Sequence, residues 1–203
     1  MSRQSIIILC TILVIAAFVI FGLIAAEKHV KFTRQVTDAL ENSRFEEFHR
    51  LMSYGKAEKY LPAYNIALLN FESAVMEKDG KEADKLYEQL SKMGLSEDQA
   101  YSFYATAFGY YVQVNNKKKF TECRNQIRKL KGREKEKQKV DEIYHVVCSD
   151  PGKEIEVLLK KLPGLKDKDK IQCEYLIAIL YQNIGRPEEA ARYWDNVKTG
   201  LTA

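Results

Sequence analysis

Apolar residues recur at helical spacing along most of the chain, and short breaks rich in Gly, Pro, Asp and Asn separate the stripes. The stretch 172–197 shows this most clearly, because Gly185 interrupts it and Pro187 restarts it. The pattern predicts two helices joined by a tight turn. Each helix carries its own apolar stripe, formed by Ile177, Ala178 and Tyr181 and then by Ala190, Trp194 and Val197. One hairpin cannot bury such large aromatic rings alone, so the pattern predicts neighbouring hairpins.

Similar helix pairs recur upstream at a regular interval. Their second-helix stripes begin 38, 37, 35 and 35 residues apart, at Phe45, Ala83, Phe120, Ile155 and Ala190. This pattern resembles the tetratricopeptide (TPR) repeat, whose unit is about 34 residues long. The fourth pair departs most, since Lys139 and Glu142 take places that are usually apolar in that family. The resemblance implies an all-α fold, an α-solenoid of about four to five TPR-like helical hairpins. A generic helical bundle is the alternative.

Local signals divide the chain further. We expect a juxtamembrane helix and a degenerate first repeat in residues 27–60, followed by the TPR-like helical repeat domain in residues 61–203. Neither Gly nor Pro interrupts residues 27–42. Ser43 with Glu46, and Ser96 with Gln99, have the spacing of capping boxes and predict helix starts.

The first 26 residues have a different character. Residues 1–5 form a short tail, and the next 21 residues, 6–26, carry no charge. As a helix they would be about 31 Å long, enough to cross a bilayer core. We therefore expect one transmembrane helix. A cleaved signal peptide is the alternative, but the segment exceeds the usual length of a signal core, and Ile24 does not suit cleavage after Ala26.

The balance of charge bears on orientation and on partners. Only Arg3 precedes the apolar segment, whereas several Lys and Arg residues follow it, which favours a single-pass protein with its C-terminal domain in the cytoplasm. An exported domain stays the alternative. Of the 32 Lys and Arg, 31 lie after the segment with all 28 acidic residues, and this weak excess of +3 does not indicate nucleic-acid binding. The four cysteines lack metal-ligand spacing and are expected to be free thiols, which favours a reducing compartment.

No catalytic motif stands out. The three histidines are scattered, without an HExxH pair, and no Gly-rich phosphate loop is present. The paired carboxylates fall in first turns of predicted helices, where they offset the exposed amides. We therefore expect no enzymatic activity, no cofactor and no metal site. An enzyme with an unrecognised site is the less favoured alternative.

One segment, the basic run from Arg128 to Lys139, is unusually rich in Lys and Arg. Its seven basic residues face only Glu134 and Glu136, so it could contact anionic lipid beside the bilayer. A solvated hairpin junction is the favoured alternative. The basic residues are Arg128, Lys129, Lys131, Arg133, Lys135, Lys137 and Lys139.

The resemblance also implies a binding surface, because the first helix of each TPR repeat lines a concave groove. Apolar and amide side chains dominate the matching positions, which suits an extended or amphipathic segment of a protein partner. The candidate groove residues are Asn65, Leu68, Glu72, Met76, Gln113, Tyr144, Tyr175, Ile179 and Asn183. Packing between repeats is the alternative role of Tyr144 and Tyr175. The aromatic cluster in 101–111 surrounds its helix too widely for one buried face, so some of its rings are expected to be exposed or to meet a partner.

The resulting expectation is a membrane-anchored TPR-like scaffold or adaptor that binds a protein or peptide in its groove. Self-association stays possible. The alternative from another class is an exported, membrane-tethered chaperone or envelope-assembly factor, which an apolar, weakly charged groove would also suit.

Overall fold

The structure is a computed structural model of the chain, and it describes residues 27–53 and 55–202. The expected tail 1–5 and transmembrane segment 6–26 lie outside the described residues. Within the described ranges, no helix combines the length and the apolar character needed to cross a membrane. The regular secondary structure in these ranges is helical and contains no strand, which confirms the all-α prediction.

Ten α-helices make up the described chain. The first, α1, covers residues 27–41. The others are α2 (Phe45–Leu51), α3 (Ala63–Met76), α4 (Gly80–Leu90), α5 (Glu97–Gln113), α6 (Lys117–Lys129), α7 (Glu134–Cys148), α8 (Pro151–Lys161), α9 (Asp167–Asn183) and α10 (Pro187–Thr202). Two short 3₁₀ turns, Ala57–Lys59 and Leu162–Gly164, precede α3 and α9. The chain divides into two compact units with the boundary between Met93 and Gly94.

The first unit is built on the stripe that the sequence predicts in α1. Phe32, Val36 and Leu40 are all buried there, at one-turn spacing on the same face of the helix. They pack with Phe48 and Leu51 of α2 into one apolar cluster. The helix α3 packs against α4 in the same unit. It has both buried and exposed residues.

The second unit consists of α5 to α10. The closest packing in this unit joins α5 with α6 and α9 with α10, whereas α8 packs more extensively against α9 than against α7. The helix α9 also packs against α7 and α8, so it is enclosed on several sides. Ile177 and Leu180 of α9 are fully buried and join Ile155 and Leu158 of α8 in one core cluster.

The turns within the hairpins repeat one backbone geometry. Ser43, Lys78, Asn115 and Gly185, which are 35, 37 and 70 residues apart, each adopt a positive φ in the turn that ends a helix. In each turn, the N–H of the next residue donates to a carbonyl five residues back; Asp79, for example, donates to Ala74 at 2.9 Å. The junction between α7 and α8 is different, because Ser149 there is extended. That irregularity falls in the pair that departs most from the family pattern.

One of the two expected capping boxes is confirmed and the other is wrong. Ser96 accepts from the Gln99 N–H, and the Gln99 side chain accepts from the Ser96 N–H, which starts α5. Ser43 does not cap α2, since the residue before that helix is Arg44 and it makes no side-chain cap. Ser43 instead takes the left-handed conformation that terminates α1, where its N–H donates to Leu40 O at 2.9 Å.

The aromatic cluster in 101–111 is more enclosed than its distribution on the helix predicts. Phe103, Tyr104, Phe108 and Tyr111 are buried, and Tyr101 and Tyr110 are half-buried. The expectation of exposed rings is therefore not met among these residues. The described cysteines, Cys123, Cys148 and Cys173, are free thiols, as the sequence predicts.

Candidate partner-binding site

Four of the predicted groove residues share one face of α3. Asn65, Leu68, Glu72 and Met76 follow one another at spacings of three or four residues, and we call this surface the α3 face. Asn65 is exposed, Leu68 and Glu72 are half-buried, and Met76 is 41% exposed. Phe71 and Ala74, on the opposite side of the same helix, are buried. The α3 face is therefore partly accessible, and it is apolar around one carboxylate.

Glu72 lies near the middle of the α3 face. In the part of the chain that the structure describes, no side chain forms an ion pair or a hydrogen bond with its carboxylate. Burial raises the pKa of Glu72, because removing a carboxylate from water disfavours its charged form. Its neighbours one turn away, Leu68 and Met76, offer no polar atom that could replace the lost water.

Glu77, five residues after Glu72, is a carboxylate of the same unit that does have hydrogen-bonding partners. Its Oε1 accepts from Ser73 Oγ at 2.6 Å and lies 2.9 Å from His49 Nε2. The buried hydroxyl of Ser73 therefore has a partner as well. The contrast with Glu72 is clear, since the fold supplies Glu77 with two polar contacts and leaves Glu72 with none among the described residues.

Two predicted groove residues, Gln113 of α5 and Tyr175 of α9, contact each other. Gln182 Nε2 donates to the backbone oxygen of Gln113 at 3.0 Å, which joins the C-terminal ends of these two helices. Tyr175 contacts Trp194 edge-to-face, with ring centroids 5.5 Å apart. Burial raises the pKa of Tyr175, and a polar contact with the Gln113 side chain partly offsets that rise. These contacts give Gln113 and Tyr175 a packing role within the second unit.

Two further predicted groove residues also serve packing. Tyr144 stands edge-to-face on Phe120 at 5.8 Å, and the Arg124 guanidinium lies 4.2 Å from the centre of the Tyr144 ring. Tyr144 therefore faces α6. Ile179 is 1% exposed, so it belongs to the core and not to a surface that a partner could reach. Asn183, the last residue of α9, is half-buried.

The basic run is partly neutralised by its own unit. Arg133 pairs with Asp98 and lies over the Tyr101 ring at 4.5 Å. Lys137 Nζ lies 3.0 Å from Glu134. Arg128 approaches Asp141 at 3.9 Å, and four exposed lysines complete the run: Lys129, Lys131, Lys135 and Lys139. Three of its seven basic side chains thus have carboxylate neighbours, and the other four are exposed.

The remaining polar clusters are local to helix pairs. Glu174 is 5% exposed, and its Oε1 accepts from Asn196 Nδ2 at 3.1 Å beside a groove of about 400 Å³ between α9 and α10. The polar side of α7, including Gln138 and His145, lines a shallow and open depression. Among the residues that the structure describes, no group of three His, Cys, Asp or Glu side chains could hold a metal ion.

Sequence reasoning placed Glu72 on the groove without recognising its isolation. The signal was available, because Glu72 is the only charged residue in the fourteen residues of α3. A single charge in an otherwise neutral helix has no neighbour at i+3 or i+4 that could pair with it. What the sequence could not give was that no described residue brings a cation to Glu72, because that depends on tertiary packing.

Comparison of the chain with models of known protein families, with characterised proteins and with solved structures found no significant match.

Proposed function

We propose that this protein is a membrane-anchored, TPR-like scaffold or adaptor that binds a protein or peptide partner through the α3 face. The observation that carries the proposal is the character of that face, which is partly accessible, mostly apolar and centred on a carboxylate to which no described residue supplies a counter-ion. Surfaces of this kind suit a segment that supplies both apolar side chains and a polar contact. The recurring turn geometry and the paired helices support repeats of the TPR type.

A crosslinking experiment in cells tests this proposal. The photoreactive residue p-benzoylphenylalanine replaces Met76 on the α3 face, and in a second variant it replaces Val157 of α8. The two positions are a matched pair, because Met76 is 41% exposed and Val157 is 43% exposed. Any difference between them therefore reports the surface around the probe and not the exposure of the probe itself.

We expect irradiation of the Met76 variant to give a discrete crosslinked species of defined mass, and the Val157 variant to lack it. The Glu72→Gln exchange combined with the Met76 probe should reduce the yield of that species. Equal crosslinking from both positions, or none from Met76, would contradict binding through the α3 face.

The membrane anchor and the orientation of the domain are part of the same proposal. Their support is the uncharged segment 6–26 and the excess of Lys and Arg that follows it. A reporter thiol at Lys198, whose side chain is 78% exposed, can be labelled with a membrane-impermeant reagent in intact cells. We expect labelling only after the membrane is permeabilised. Labelling in intact cells would contradict the cytoplasmic orientation and favour the exported chaperone.

A further inference from the structure

The electrostatics of the α3 face narrow the class of partner that it fits. We propose that Glu72 determines specificity by pairing with a lysine or arginine that the partner presents between apolar side chains. This inference rests on the proposed function, since it names the chemistry of the segment that the α3 face binds. The juxtaposition that supports it is a half-buried carboxylate flanked one turn away on either side by Leu68 and Met76.

The Glu72 carboxylate has lost part of its contact with water and has gained no polar contact from the described residues in return. They supply it with neither a cation nor a hydrogen-bond donor. A carboxylate in that situation gains most from an ionised donor, because charge-assisted hydrogen bonds are the stronger ones. Burial also raises the pKa of Glu72, as expected for a carboxylate whose charge is not compensated within the free protein.

Apolar, acidic and basic segments would differ in how well they fit the α3 face. A purely apolar segment would cover Leu68 and Met76, but it would remove the remaining water from Glu72 without replacing it, which is costly. An acidic segment would add repulsion to that cost. A segment with a basic side chain covers the apolar residues with its aliphatic stem and brings its charged head to the carboxylate. Charge complementarity therefore selects a basic residue in an apolar context.

The positions of Leu68 and Met76 along α3 indicate where a partner needs its apolar side chains. Leu68 and Met76 lie four residues before and after Glu72, so they are about 6 Å along the helix axis from it on either side. A segment lying along α3 would meet an apolar position, then the carboxylate, then a second apolar position. We therefore expect the basic side chain of the partner to have an apolar neighbour on each side.

Selection of random twelve-residue peptides displayed on phage tests this inference. The full chain in non-ionic detergent, immobilised through a C-terminal tag, is compared with three variants: Glu72→Gln, Glu72→Lys and the control Glu41→Gln. Glu41 suits the control because it is an exposed residue of the same unit, in α1. Glu72→Gln keeps the shape of the side chain and removes only its charge.

For the wild type and Glu41→Gln, we expect enriched peptides in which Lys or Arg is flanked by apolar residues. Glu72→Lys should instead enrich Asp or Glu at that position. A synthetic peptide of the wild-type consensus should bind Glu72→Gln at least tenfold more weakly by fluorescence anisotropy. Glu72→Asp should restore part of that affinity.

Two other outcomes would overturn the inference. Only one of them would also contradict the proposed function. An enriched consensus that is the same for the wild type and for Glu72→Lys would refute the role of Glu72 while leaving peptide binding intact. The absence of any enriched peptide from the wild type would contradict the proposed function together with the inference.

Discussion

Truncation of Ile177 provides the sharpest test of the packing described for the second unit. Ile177 is 0% exposed and lies in the core that α8 and α9 share. Exchange for Ala removes three carbon atoms, and at about 0.8 kcal/mol for each buried methylene the transfer term is about 2.4 kcal/mol. The cavity adds to this, and such changes cost about 2–5 kcal/mol in total. We expect Ile177→Ala to lower the free energy of unfolding by about 3 kcal/mol.

The chain carries its own reporter and its own control for this measurement. Trp194 is the only tryptophan, and it contacts Tyr175 within the second unit, so its fluorescence follows the unfolding of that unit in urea. With a denaturant dependence of about 1.5 kcal/mol/M, the midpoint should fall by about 2 M. Ile184 is 41% exposed and supplies the control, since Ile184→Ala should cost less than about 1 kcal/mol.

A milder variant keeps this test decisive if Ile177→Ala leaves too little stability to measure. Ile177→Val should lower the free energy of unfolding by about 0.5–1.5 kcal/mol with an unchanged denaturant dependence. Equal midpoints for Ile177→Ala and Ile184→Ala would refute the placement of Ile177 in the core.

Two further predictions concern single polar residues, and a third concerns an ion pair. Burial raises the pKa of Glu72 above its unfolded value, so the wild type loses stability as pH rises from the unfolded pKa through the folded one. Glu72→Gln should therefore have a higher urea midpoint than the wild type at about pH 8 and the same midpoint at about pH 3.5. A variant with the wild-type midpoint at both pH values would contradict the conclusion that burial destabilises the charged form of Glu72. Asp79 caps α4 by accepting from the Glu82 N–H at 3.0 Å, so Asp79→Ala should cost about 1 kcal/mol in urea unfolding and Asp79→Ser should recover most of it. Arg124 Nε lies 2.5 Å from Asp141, and a double-mutant cycle of Arg124→Ala with Asp141→Asn should show a coupling of about 1 kcal/mol or more, whereas additive effects would exclude a working pair.

The helices and their ends could be predicted well because local signals specify them. The turns at Asp79, Asn116 and Gly185 lie in the breaks rich in Gly, Pro, Asp and Asn that separate the apolar stripes, and each ends or caps a helix. The capping box at Ser96 forms as expected. The capping box at Ser43 does not form, because Ser43 belongs to the turn that ends α1. The sequence alone does not show whether such a residue ends one helix or begins the next.

The candidate site could be predicted only in part. The resemblance to TPR repeats implied that Leu68, Glu72 and Met76 share one face of a helix, and that arrangement is present. Spacing could not show that Tyr144 turns towards α6 or that Ile179 is enclosed, because both depend on how distant helices pack around them. Helical periodicity identifies which residues share a face, whereas tertiary contacts decide whether that face meets water, core or partner.

Methionine methyl NMR tests the binding role of the α3 face most directly. The four methionines are Met1, Met52, Met76 and Met93, and labelling their methyl groups with ¹³C places one probe on the α3 face. A consensus peptide selected on the wild type is titrated into the labelled full chain. We predict that the Met76 resonance shifts progressively and saturates at the affinity measured by anisotropy, while Met52 and Met93 stay in place. A peptide that binds and leaves the Met76 resonance unmoved would contradict binding through the α3 face.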